Sequence, residues 1–433
     1  MTENKANFRQ WIDESQWMAI AQGIGCYFDP CVSWRVTLTK HHNIHFDIAI
    51  VGAGPSGLCF ARALTGSGLR IAILERQMEN VLAAPAFDGR EIALTHHSAK
   101  LLRELGVWDR IEPEAISPLR DAKVLNGLSL YAMQIDHRDS CMEELGYLIP
   151  NCLIRKTAYE AVKSSPAITL MTGVQIDDVR TDVDAAHITL NNGKTMTAKL
   201  LVAADSRFSE TRRAMGIAAS MHDFGRVMMV CTMEHEVSHQ HVAWEWFDYG
   251  QTLALLPMNG LQSSVVVTLT AREIGELMEK TDEAFNREIE QRFQHRLGPM
   301  RLVSTRHAYP LVTVYPRRFI KQRFALIGDA AVGMHPVTAH GFNFGLRGAD
   351  TLAKLIITAH ARGENIASSS LLTSYERAHR RATHPLFVAT HTIAKLYSDE
   401  SPPARFLRAA SLRIGNRIAP FKRAVARMLT EAR

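Results

Sequence analysis

Apolar positions along this chain fall into short runs closed by glycines and polar residues, and the first clear run is Phe46-Asp47-Ile48-Ala49-Ile50-Val51. A run of this length ending in glycine predicts a buried strand. The stretch to Leu64 then reads as a helix, Gly66 and Gly68 as a turn, and residues 70–74 as a second strand. Strand, helix and strand in that order predict a parallel pair with a crossover helix. Residues 118–150 and 221–319 carry alternating apolar segments, among them 227–231 and 264–269, which predict the strands of a second lobe. Phe324-Ala325-Leu326-Ile327 predicts another buried strand, closed by Gly328-Asp329. A long amphipathic helix is expected from about Phe342, and helical structure from about residue 370 to the end. Residues 1–45 show no sustained period and read as an N-terminal extension. Its His41, His42 and His45 are read as part of a solvated linker, where spacing without rigidity does not preorganise metal ligands.

At 433 residues the chain exceeds the size at which a single core keeps growing, so two lobes are expected. Hydrophobic residues at 46% and charged residues at 22% match a folded globular protein and argue against disorder or a fibrous repeat. Six scattered cysteines with no Cys-x-x-Cys spacing suggest neither zinc nor a redox dithiol, and fit a reducing cytoplasm. No apolar run reaches the about 18 residues of a bilayer span, and no signal core opens the chain, so a soluble or peripheral protein is expected. The net charge of +6 has its densest source near the C-terminus. There Arg405, Arg408, Arg413, Arg417, Lys422, Arg423 and Arg427 interleave with apolar residues. Two readings fit this pattern: a basic amphipathic face lying on anionic lipid at the inner membrane surface, or a helix packed on the protein with its basic side in solvent. No recognition motif accompanies the charge, so nucleic acid is not an expected partner.

The chemistry starts at Gly52-Ala53-Gly54-Pro55-Ser56-Gly57, which sits between predicted strand and helix, with Glu75 and Arg76 at the end of the next strand. In a dinucleotide-binding turn, Gly52 would permit the tight bend, Gly54 would let backbone approach a pyrophosphate, and Gly57 would let helix and strand pack closely. Glu75 would accept a hydrogen bond from the ribose. The pattern alone does not separate NAD from FAD. A second motif, Gly328-Asp329 followed by His335-Pro336 and Gly341-Phe342-Asn343, separates them. An extended FAD would be held at both ends, by Glu75 at the adenosine and by Asp329 on the ribityl chain. The helix start near Gly341 would aim its N–H groups at the pyrimidine edge of the flavin.

Three further segments join these two: Asp88-Gly89-Arg90-Glu91-Ile92-Ala93-Leu94, the stretch from Ala203 through Asp205-Ser206-Arg207 to Arg212, and Trp244-Glu245-Trp246-Phe247 before Leu253-Ala254-Leu255-Leu256-Pro257. On these five segments, over about residues 46–430, the chain resembles the class A flavoprotein monooxygenases of the para-hydroxybenzoate hydroxylase fold. Within them it resembles the ubiquinone-biosynthesis hydroxylases, and most of all their bacterial demethoxyubiquinol hydroxylase branch. The resemblance implies an α/β fold: a Rossmann-like FAD-binding domain interleaved with a mixed β-sheet substrate domain, and a helical C-terminus. The expected segments are 46–117, 151–220 and 320–370 for FAD, 118–150 and 221–319 for substrate, and 371–433 as the helical end.

The resemblance further implies oxygen-dependent ring hydroxylation of a polyprenylated phenol or quinol through a flavin hydroperoxide, with FAD as cofactor and NAD(P)H as electron donor. Other quinone-biosynthesis proteins are implied partners. Arg90 would reach the FAD, and Asp205 would bind both FAD and the nicotinamide. Three positions depart from the pattern: Ser206 replaces the glycine of Asp-Gly, Val332 replaces the histidine after Gly-Asp-Ala-Ala, and Ala339-His340-Gly341 replaces Gly-Gln-Gly. His340, the polar newcomer beside the expected flavin site, is a candidate for proton transfer.

Rival readings are a flavin-dependent reductase of an isoprenoid, a non-catalytic flavoprotein subunit of a quinone-synthesis complex, and a flavin halogenase suggested by Trp244-x-Trp246. A di-iron hydroxylase would use Glu236-x-x-His239 and Glu376-x-x-His379.

Overall fold

The computed structural model describes residues 44–127, 132–140, 142–248, 250–398, 401, 403–404, 408, 410 and 419–430. His41, His42 and the C-terminal Arg405, Arg413 and Arg417 lie outside the described residues.

Five strands build the parallel centre of the first sheet, in the order Phe324–Leu326, Thr195–Ala203, Ile44–Val51, Ile71–Glu75, Ile168–Thr172. The apolar run read from Phe46 is therefore central, flanked on both sides, which is why Ile48, Ala49 and Ile50 are completely buried. The chain leaves this strand at the point where the strand order reverses direction, the place where open α/β sheets bind ligands. The strand begins at Ile44, two residues before the apolar run, and takes in His45, whose Nδ1 bonds Thr197 Oγ1 at 2.9 Å. That corrects the reading of His45 as a linker residue: pairing with Thr195–Ala203 extends the strand beyond its apolar stretch.

A second sheet runs Met300–Leu302, Ala219–His235, Gln262–Leu269, Thr252–Pro257, Val242–Phe247, Asp121–Asn126, Ala132–Ile135, with His307–Pro316 also paired to Ala219–His235. It therefore draws together residues from both sides of the 151–220 segment. One face carries Met229, Cys231, Trp246, Leu253, Leu255, Val265 and Val267, packed with Ile274, Leu277, Phe285 and Ile289 of the helices Ala271–Met278 and Asp282–Arg292. Alternation sends the intervening residues to the other face.

Two long helices follow the second motif. Gly341–Ala361 packs against the glycine-loop helix Pro55–Ala63, and Ser369–Ser398 packs against Gly341–Ala361. The C-terminal helix Ala419–Thr430 buries Ala426 beside Ile135 and Leu145, and Lys422 pairs with Asp139 at 3.8 Å. Arg408 does not belong to an exposed basic face: it is fully buried and donates from Nε to the Leu396 carbonyl at 2.9 Å. No helix among the described residues is long and apolar enough to cross a membrane.

Candidate active site

Both large sheets contribute walls to one cavity of about 1290 Å³. That exceeds the roughly 300–1,000 Å³ usual for a single small-molecule site, and leaves room for an extended cofactor and a second ligand.

The three glycines of the turn differ in what surrounds them. Gly52 takes φ +102°, and a Cβ there would lie 2.7 Å from the Ala204 carbonyl oxygen. A Cβ on Gly57 would lie 2.1 Å from the Gly52 carbonyl oxygen, so neither position admits a side chain. Gly54 differs: a Cβ there would meet nothing within 4 Å, because this residue faces the cavity at the start of the Pro55–Ala63 helix. Space is kept where a pyrophosphate would approach the helix N-terminus. Glu75 is fixed by backbone, with Oε2 accepting from Ala53 N at 2.7 Å and Oε1 from Gln77 N at 2.8 Å. Its remaining lone pairs stay available to the cavity that it and Arg76 line.

The second motif presses on the first through one residue. A Cβ on Gly328 would lie 2.8 Å from Ser56 Cβ, and one on Gly345 would lie 2.8 Å from Ser56 Oγ. Glycines at 328 and 345 thus bring the Asp329 turn and the Gly341–Ala361 helix onto the glycine-loop helix. Asp329 lines the cavity and accepts from Arg207 Nη2 at 3.1 Å, while Arg207 Nη1 donates to the Val312 carbonyl at 3.1 Å. Asp205 also lines the cavity; its Oδ1 accepts from Ser209 Oγ at 2.5 Å and its Oδ2 from Thr211 N at 3.0 Å. Ser206, the substituted glycine, holds φ +85°.

Gly52, Gly54, Glu75, Arg76, Arg90, Asp205, Asp329, Pro336, Gly341 and Phe342 all line this one cavity; Gly57, Gly328, His340 and Asn343 do not. Gly57 and Gly328 act behind the wall, in the close contacts just described. Asn343 is a clamp: its side chain accepts from Thr95 N at 3.1 Å and donates to the carbonyls of Ala93 at 2.8 Å and Ala339 at 3.0 Å. It ties the helix start to the end of strand Glu91–Leu94. His340 is 2% exposed, bonds the Thr338 carbonyl through Nδ1 and packs against Phe344, so its ring turns away from the cavity. Arg90 donates from Nε and Nη2 to one oxygen, Asp88 Oδ2, at 3.1 and 2.6 Å, and lies over the Tyr309 ring.

Three cavity residues were not singled out from the sequence as site residues. Glu91 follows Arg90; burial, with Asp88 nearby, pushes its carboxyl up to about 8, and its Oε1 has no hydrogen-bond partner. His335 is pulled down to about 4 by burial and by His391 and Arg207, and packs edge-on against Phe224. Glu245 lies between two tryptophans that face away from the cavity; Trp246, buried on the helix-covered face, donates from Nε1 to the Gly127 carbonyl at 2.9 Å. Alternation in Trp-Glu-Trp-Phe was the available signal, since it places Glu245 and Phe247 on one face. The tryptophans themselves drew attention to the wrong face. Of the Glu-x-x-His pairs, Glu376 accepts from Phe319 N at 2.7 Å and Arg380 Nε at 3.1 Å, and His379 is buried against Tyr375.

Residues 45–388 match the family model described as an FAD binding domain. The chain is 47% identical over 392 residues to the ubiquinone hydroxylase UbiM of Neisseria meningitidis, covering 90% of this chain and 85% of that protein. It is 33% identical to the ubiquinone hydroxylase UbiL of Rhodospirillum rubrum, covering 87% of each. Among solved structures, the p-nitrophenol 4-monooxygenase PnpA of Pseudomonas putida superposes with a TM-score of 0.72 at 18% identity, covering 89% of this chain and 99% of that one.

Proposed function

This chain belongs to the FAD binding domain family, and from that premise we propose that it is an FAD-dependent monooxygenase that hydroxylates the aromatic ring of a ubiquinone precursor of the demethoxyubiquinol type. One observation carries the reading: a dinucleotide-binding turn and a largely apolar sheet wall face the same cavity. The residues present fit FAD. Gly54 leaves an open cradle at a helix N-terminus, Glu75 offers backbone-fixed oxygens for ribose hydroxyls, and Asp329 is steadied by Arg207 for the ribityl chain. Bound FAD supplies the electron storage and oxygen activation that no side chain here provides.

The protein's own share is binding, orientation and the exclusion of water. The helix start at Gly341 and Phe342 turns its positive dipole end toward the cavity, where negative charge on a reduced cofactor is stabilised. Val230, Ala254, Leu256 and Val266 give the aromatic substrate a dry surface. NAD(P)H is the proposed donor, with Asp205 and Ser206 at the cavity edge where it would act. The proposed substrate resides in lipid, and peripheral contact with anionic membrane would rest on charge, since the Ala419–Thr430 helix spends its apolar side on the protein and exposes Arg423 and Arg427. Contact with other quinone-biosynthesis proteins belongs to the same proposal.

The test is product identification from a strain that lacks its own ring hydroxylases and expresses this chain, with FAD content measured on the purified protein. Gain of one oxygen in the precursor is expected. Gain of hydrogens would identify an isoprenoid reductase instead, and no oxygen-dependent product from an FAD-loaded protein would identify a non-catalytic subunit.

A further inference from the structure

The cavity-facing side of the second sheet places Val230, Ala254, Leu256 and Val266 in a largely apolar wall, and Glu245 projects from it as its one carboxyl, with Arg226 and Tyr309 as the sheet's other ionisable groups at the cavity. The residues paired with Glu245 on the two flanking strands are Ala254 and Val124, neither of which can bond a carboxyl side chain. The side chain is half-buried, its carboxyl opens onto the cavity, and it has no hydrogen-bond or ionic partner among the described residues. A buried carboxyl is normally paired, because desolvation without a partner is unfavourable. A lone carboxyl presented to a ligand wall whose other polar groups are the hydroxyls of Thr252, Ser264 and Thr268, with Ser264 Oγ also unpartnered, is arranged for a partner that arrives with the ligand.

We propose that Glu245 anchors the aromatic substrate, its carboxyl hydrogen-bonding an oxygen on the ring and so fixing which ring carbon is presented for oxidation. The inference rests on the hydroxylase reading and adds to it the residue that sets ring orientation. A neutral carboxyl suits this task because it both donates, through its O–H, and accepts, through its C=O, so it bonds a ring hydroxyl in either sense. Burial supports the neutral form by pushing the group up to about 8. Around it, the flanking strand positions offer no charge. The cavity's nearby titratable groups are Tyr397, which stacks on Phe247, Asp248, which follows the same strand, and Arg226, which donates to the Gly250 carbonyl.

The experiment uses the full-length, FAD-loaded protein and demethoxyubiquinol with a short prenyl chain as probe, titrated anaerobically while the flavin absorbance is followed, and then turned over in air. Glu245→Leu is expected to keep FAD and the wild-type melting temperature, to weaken probe binding by about 10- to 100-fold, the range of one lost hydrogen bond to a ligand, and to release more hydrogen peroxide per donor oxidised. Glu245→Gln, which keeps a donor and an acceptor, is expected to bind within a few-fold of wild type. It should also lose the fall in binding that wild type shows above about pH 8, where the carboxyl ionises. Unchanged probe affinity, product position and peroxide yield in Glu245→Leu would overturn the proposal. Wild-type protein that binds the probe but inserts no oxygen would refute the hydroxylase reading alone, and loss of binding in Glu245→Leu would still support the anchor.

Discussion

Arg207 donates from Nη2 to Asp329 Oδ2 at 3.1 Å, joining two motifs that lie 122 residues apart in the chain. Both side chains are partly exposed, at 29% and 39%, and they meet at the cavity rather than in the core. An ion pair with that exposure contributes only about 0–1 kcal/mol to folding. Its geometry therefore matters for what Asp329 presents more than for holding the fold. Asp329→Ala is expected to abolish flavin retention and hydroxylation together, while the melting temperature of flavin-free protein stays within a degree or two of wild type. Normal turnover with bound FAD in that variant would refute the placement of Asp329 on the cofactor.

Gly54 and Gly57 separate cofactor binding from folding. A methyl at 57 would collide with the Gly52 carbonyl at 2.1 Å, so Gly57→Ala must shift backbone and should destabilise the protein by about 1–3 kcal/mol, the usual range for overpacking. A methyl at 54 meets nothing within 4 Å, so Gly54→Ala should unfold at the wild-type denaturant concentration yet bind FAD more weakly, because the methyl occupies the phosphate approach. Denaturation of the flavin-free variants, paired with FAD titration, reads both effects. Equal flavin affinity in Gly54→Ala and wild type would remove the cradle assignment.

Ser206 holds φ +85° in the position where the resembling family has glycine. A side chain in the left-handed region costs about 1–2 kcal/mol relative to glycine. Ser206→Gly is accordingly expected to raise stability by about 1 kcal/mol, less a few tenths for the added freedom of the unfolded chain. A lower denaturation midpoint in Ser206→Gly would mean that the serine side chain makes a compensating contact.

The parts of this site that the sequence revealed are those where backbone geometry restricts residue type. Gly52 and Gly57 cannot be replaced without collision, and Asp329 sits in the tight turn just after a short buried strand, so both turns were readable as patterns. Glu245, Glu91 and His335 were harder to see because their meaning depends on what faces them across the fold. Glu245 becomes unusual only once Ala254 and Val124 are known to flank it. His340 shows the converse: its neighbours in sequence line the cavity, but the local turn, with Ala339 at φ +53°, rotates the ring onto Phe344. The register of the second sheet, which decides all of this on the substrate side, is set by long-range pairing rather than by any local motif.

Four groups lining the cavity or the core, His379 buried and Glu91, Glu245 and His335 half-buried, give flavin-free protein a defined pH response. Glu91 and Glu245 are raised from 4.5 to about 8, so in that interval the folded state keeps protons that the unfolded state has lost, and stability falls as pH rises through about 8. His335 and His379 are lowered from 6.5 to about 4 and about 3, so the unfolded state binds the extra protons and stability falls as pH drops below 6.5. Between 4.5 and 6.5 the two pairs oppose each other and largely cancel. Denaturation midpoints should therefore be nearly level across that window, and decline on both sides by at most about 1.4 kcal/mol per pH unit for each titrating group. The double substitution Glu91→Gln with Glu245→Gln should flatten the alkaline limb and leave the acid limb in place. If the alkaline decline survived that double substitution unchanged, neither carboxyl would be held neutral in the folded protein, and the dry environment assigned to the substrate wall would have to be abandoned.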